Sequence, residues 1–157
     1  MVSRVPSSRV VDGVRIGAVA TAATAGVIVG LGLRHQSALR PFLMSGRSTF
    51  AALTGLVAPI PIAMTFGVLV HAAWMVLWGI CFSMIATPLR GLQRLVAAIL
   101  LAVLAGVLSR SIAPGAMGAG VMAVQSDAQT LVLLTVFALS LLGGIRLAPI
   151  VSRDSRP

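Results

Sequence analysis

The chain has no lysine and no glutamate: all 12 of its basic residues are arginine and all 3 of its acidic residues are aspartate. Charged residues make up 10% of its 157 positions, well under the quarter or so that soluble domains carry. There is one cysteine, Cys81. It lies inside an apolar run, so an internal disulfide is impossible and a zinc cluster is unsupported. No carboxylate falls within any long apolar run, which removes the usual material of proton-coupled transport. No Ser-His-Asp set, Cys-His pair, paired carboxylate or metal spacing is available, so the chain is not expected to be an enzyme. Aromatics are only 4%. The net charge of +9 therefore lacks the aromatic-interleaved basic patch that binds nucleic acid, and no nucleic-acid partner is expected.

What the chain does have is apolar length. Hydrophobic residues are 58% of it and the mean hydropathy is +1.04. A soluble domain of this size could not hide that much apolar surface, so lipid has to act as part of the solvent. Four runs are long enough to span a bilayer as helices: about 14–33, 62–85, 92–108 and 127–145. The expectation is an all-α membrane protein, a four-transmembrane-helix bundle occupying 13–146 between cytoplasmic tails at 1–12 and 147–157. The arginine-only, Ala/Gly/Val/Leu-rich composition suggests a GC-rich bacterial genome. Basic start and apolar run together give the first segment a signal-peptide look. The run is long for one, however, and Arg34-His35-Gln36-Ser37 follows without a small-x-small cleavage site, so an uncleaved helix is expected.

The arginines set an orientation. With four spans the termini share a side, and that side carries Arg4, Arg9, Arg15, Arg90, Arg94, Arg146, Arg153 and Arg156 against Arg34, Arg40, Arg47 and Arg110 on the other. Both termini are expected in the cytoplasm, in a bacterial inner membrane. Between the first two spans, Ser48 or Thr49 is expected to cap a short helix through Phe50–Val57, ended by Pro59 and Pro61. Too short to cross, it reads as interfacial or re-entrant. Arg94 and Arg110, at the ends of the short third span, must snorkel toward headgroups. Pro114–Gly120 is Gly-rich but carries neither a Walker nor a dinucleotide pattern and reads as a surface loop. Ser126-Asp127-Ala128-Gln129 has the form of a capping box at the start of the fourth span. Asp127 is placed to pair with Arg110 at the outer boundary, where such a pair contributes little.

Two sets of residues stand out. Ala18, Ala22, Gly26 and Gly30 put a small residue at every fourth position of the first span, and Ala98, Ala102 and Gly106 repeat this in the third. Small strips let helix backbones approach closely in lipid. The first and third spans are thus expected to mate within the chain, with a homo-oligomer as the second use of the strip. The other set is His71, Trp74, Met75, Trp78 and Phe82, on one face of the second span. An ionisable group near mid-membrane is a functional-site candidate by default, and aromatic walls could hold a cation or a flat hydrophobe. The plainer reading is a neutral histidine making one interhelical hydrogen bond, worth about 1 kcal/mol or less. Haem would need a second axial ligand, from another chain's His71 or from Met64, Met75 or Met84; no cofactor is expected.

The runs Gly17-Ala18-Val19-Ala20-Thr21, His71…Val76-Leu77-Trp78-Gly79, Pro88-Leu89-Arg90-Gly91 and Thr130-Leu131-Val132-Leu133…Phe137 resemble an uncharacterised family of small bacterial membrane proteins. The resemblance implies a four-helix fold and no activity. Members often carry a second histidine in the last span, near Leu134; this chain has leucine there. The leading expectation is a non-enzymatic membrane protein that packs with itself or a partner. A small transporter or ligand-binding protein using the His71 face comes next, and a haem-bearing redox subunit third.

Overall fold

The computed structural model describes residues 6–34, 37–111 and 126–151. Among the described residues there are five helices and no strand: α1 Pro6–Arg34, α2 Arg40–Thr54, α3 Ile60–Ala86, α4 Leu92–Ser111 and α5 Asp127–Val151. Four stretches of them, Arg9–Leu33, Ile60–Ala86, Leu92–Ser109 and Asp127–Arg146, are long and apolar enough to cross a membrane. Each overlaps one expected span. α1 opens earlier than expected: Pro6 starts it, where the missing N–H costs nothing, and the helix runs through Asp12, inside the expected tail 1–12.

The helices pack as a ring with one appendage. α1 lies along both α3 and α5, α4 packs chiefly on α5, and α2 lies on α3. Thr87–Gly91 is all that separates α3 from α4, which makes them run antiparallel. The core of this bundle is apolar but holds a set of buried polar side chains, and many large apolar side chains lie outside it. Thr24, His71, Ser83, Ser109, Thr130 and Ser140 are buried, while Leu69, Leu100, Val103, Leu131 and Leu139 are exposed. A water-soluble bundle places these classes the other way round.

The small-residue strips behave differently from expectation. Ala18, Ala22, Gly26 and Gly30 are exposed, and a Cβ built on Gly26 or Gly30 would meet nothing within 4 Å. The strip therefore faces away from the chain's other helices. Its neighbour on α1, Gly13 and Gly17 with buried Ile16, Ala20 and Thr24, faces inward instead. A Cβ on Gly13 would come within 2.5 Å of Ile80 Cα, and one on Gly79 within 2.5 Å of Gly13 O. One on Gly17 would collide with Val76 Cα. α1 and α3 thus cross backbone to backbone, which only glycine permits. Ala98, Ala102 and Gly106 are buried as expected, but the main partner of α4 is α5 rather than α1. A Cβ on Gly106 would sit 3.2 Å from Leu134 Cδ2.

α2 also departs from its expected bounds. It starts at Arg40 with Pro41 in its first turn, ends at Thr54, and closes on Gly55 at φ 71° in the left-handed region. Ser48 and Thr49 are interior to it, and the Thr49 hydroxyl donates to the Ser45 carbonyl (2.8 Å) instead of capping. Pro41, Phe42, Ser45, Gly46 and Thr49 form its buried face. A Cβ on Gly46 would collide with the Ala63 carbonyl and one on Gly67 with the Phe42 carbonyl. Farther out, Phe50 meets Phe66 edge to face at 5.6 Å. The contact takes α2 well down the length of α3, since His71, which Phe42 reaches, lies about 16 Å from the start of α3 at a helical rise of ~1.5 Å per residue.

Helix ends carry local caps. Ser126 and Gln129 form the expected reciprocal box, Ser126 N–H to Gln129 Oε1 at 3.1 Å and Gln129 N–H to Ser126 Oγ at 3.4 Å. Arg94 is half-buried, and its Nε–H donates to the carbonyl of Ala86, the last residue of α3 (3.2 Å). A cation at a helix C-terminus meets the negative end of the macrodipole.

Candidate functional site

His71 lies in α3, whose inward face is His71, Met75, Trp78 and Phe82, all buried, with Trp74 half-buried beside them. Residues three and four apart on a helix share a face, so the aromatic layer follows from the sequence spacing. Trp74 and Trp78 meet edge to face, centroids 5.7 Å apart at 80°. The Trp78 Nε1–H is buried without a hydrogen-bond partner, which costs stability.

Two residues that sequence reasoning did not single out complete the histidine's surroundings. His71 Nε2 lies 3.0 Å from Thr24 Oγ1 on α1. The Thr24 hydroxyl spends its proton on the Ala20 carbonyl, 2.6 Å away. At His71 it therefore acts as acceptor, and we assign the imidazole proton to Nε2. On the other side the Phe42 ring of α2 stands edge-on to the imidazole, centroids 5.6 Å apart at 82°. The histidine thus links three helices. The signal for Thr24 was faint: a threonine whose hydroxyl bonds the carbonyl four residues back is common in apolar helices, and Thr21 does the same to Gly17 (2.8 Å).

Beside His71 is a cavity of about 30 Å³, walled by all four long helices. Thr24, His71 and Ser109 give it polar atoms, and Trp74, Met75, Leu134 and Phe137 give it apolar ones. A space of that size accommodates about one water molecule, against ~300 Å³ or more for an ordinary small-molecule pocket. Ser109 donates to the Ala105 carbonyl at 2.7 Å, leaving its lone pairs as acceptors. Of Met64, Met75 and Met84, only Met75 lines this space. Leu134 lies on its wall, across the bundle from His71.

The other candidates are not brought here. The small-residue strip Ala18–Gly30 faces outward, as described. Asp127 opens α5, and the side chain of Arg110, its expected partner, lies outside the described residues, as do His35 and the Pro114–Gly120 loop. Cys81 is a free thiol packed at the edge of the core. Among the described residues no three of His, Cys, Asp and Glu come together.

These features define a helical protein with four apolar helices of membrane-crossing length and a small polar layer inside them, as a multi-pass membrane protein has. No protein family, no curated protein and no solved structure matches the chain.

Proposed function

We propose that this is a non-enzymatic integral protein of the bacterial inner membrane, both termini cytoplasmic, that associates with itself or another membrane protein through the outward small-residue face of α1. The observation that carries the reading is the open ground over Gly26 and Gly30, where an added Cβ would meet nothing within 4 Å among the described residues. Glycine costs a helix about 1 kcal/mol relative to alanine. Inside a bundle that cost is offset by close packing, and here none of the described helices supplies it. A second helix laid on the strip could approach closely and gain the dispersion contacts that drive association in lipid. The large apolar side chains exposed along helices of membrane-crossing length support the membrane setting, and the arginine asymmetry supports the orientation.

The test is the double variant Gly26→Leu/Gly30→Leu, read by native mass spectrometry from nanodiscs. Because a Cβ at either position meets nothing within 4 Å among the described residues, the variant should keep its helix content and melting behaviour. It should lose the dimer, or the co-purifying membrane protein, that the wild type retains. A wild type that is monomeric and unaccompanied, or an association that survives both substitutions, overturns the proposal.

A second reading is favoured by the cavity at His71: a ligand-binding or transport role for His71, Trp74, Met75 and Trp78. At about 30 Å³ the space admits water or a small ion-sized guest rather than an organic ligand, so this reading requires the ring of helices to open. Phenotype and assembly unchanged in His71→Ala would remove it.

A further inference from the structure

The segments that carry Arg9, Arg90 and Arg94 meet around the last turn of α3. The Ser83 hydroxyl donates to the Arg9 carbonyl at 2.9 Å, holding the first turns of α1 against α3. Arg94 reaches back from α4 to the Ala86 carbonyl. Arg90 stands exposed in the turn between α3 and α4. The negative field at this point is the C-terminus of α3, equivalent to about half a charge, and Arg94 already occupies its terminal carbonyl. Asp12 is the one acidic side chain among the described residues of this end, since Asp127 opens α5 at the opposite end. Arg9 is half-buried, and its Nε–H is covered by protein without a hydrogen-bond partner. That donor is out of a headgroup's reach, but the part of the Arg9 side chain that stays exposed carries the same charge and gains from an anionic acceptor close by.

We infer that this junction of α1, α3 and α4 holds the phosphate of an anionic phospholipid headgroup, with Arg9 and Arg90 as its contacts. The inference rests on the membrane reading above. A phosphodiester presents two anionic oxygens that suit the planar guanidinium fork. α3 ends and α4 begins here, so the site lies at headgroup level and a lipid phosphate is delivered to it by the bilayer itself. Basic clusters at the ends of membrane helices select anionic over zwitterionic lipid by about fivefold per arginine.

The experiment is native mass spectrometry of the full chain released from nanodiscs made of equal phosphatidylglycerol and phosphatidylethanolamine. The wild type should retain phosphatidylglycerol in excess. Arg9→Gln/Arg90→Gln should lower that excess by roughly twenty-fivefold, taking about fivefold for each arginine. Arg47→Gln, exposed on α2 toward the other end, should leave it unchanged. Retention by the wild type should also fall as salt is raised, as an ionic contact requires, a readout that needs no variant to fold. Equal retention of the two lipids, retention indifferent to salt, or an Arg47→Gln loss as large as that of the double variant overturns the inference. A chain that fails to enter the discs overturns the membrane reading instead and takes the site with it.

Discussion

The hydrogen bond between His71 and Thr24 can be measured by a double-mutant cycle of His71→Ala and Thr24→Val. Because the Thr24 proton is committed to Ala20, what joins the two residues is one neutral N–H···O bond of 3.0 Å. Such bonds between helices in lipid average about 0.6 kcal/mol and reach about 1.7, because the separated helices find other partners. The coupling should fall in that range. Thr24→Val keeps the shape and removes the hydroxyl acceptor, with the Thr21 carbonyl still beside the ring, so alone it should cost about 1 kcal/mol. His71→Ala additionally loses the edge contact with Phe42, worth about 0.5–1.5 kcal/mol, and enlarges the cavity already present. Its single effect should be about 2–4 kcal/mol. Reversible unfolding in mixed micelles gives the four free energies, and fluorescence is a ready probe because the protein's two tryptophans, Trp74 and Trp78, flank the site. A coupling indistinguishable from zero would mean that the bond does not form. A coupling above ~3 kcal/mol would point to a charged imidazole, against the neutral histidine that the sequence leads one to expect.

Four further outcomes follow from packing and capping. Gly17→Val or Gly79→Val should prevent the close crossing of α1 and α3, lowering stability by about 3 kcal/mol or more; Gly26→Leu should leave the melting temperature of the protomer within a degree or two. Gly46→Ala should push α2 off α3, seen as faster hydrogen exchange across Arg40–Thr54 with little change in α1. Ser126→Ala should cost about 1 kcal/mol through loss of the cap on α5, measured by thermal melting. A Gly17→Val protein as stable as wild type would contradict the α1–α3 interface.

The long helices and the histidine layer could be read from the chain because both rest on local pattern. An apolar run of bilayer length makes a helix wherever it sits, and His71, Met75, Trp78 and Phe82 fall on one face by period alone. The box at Ser126 and Gln129 was legible for the same reason. Helix α2 was misplaced because Ser48 and Thr49 resemble caps; Pro41 and Gly55 were the better punctuation, marking its start and its end. Thr24 and Phe42 could not be found from spacing, since they come to His71 from other helices.

By itself the sequence determined the helical class, the membrane-length segments and the residues sharing a face with His71. Which face of each helix turns inward was decided only in three dimensions. In a soluble bundle the apolar stripe answers that question, because water rejects it. Here both faces of α1 are apolar and both carry small residues at four-residue spacing, so no solvent preference separates Gly13–Gly17 from Ala18–Gly30. Shape chose between them: Gly79 on α3 presents bare backbone to Gly13 and Gly17, and Thr24 on that same side meets His71.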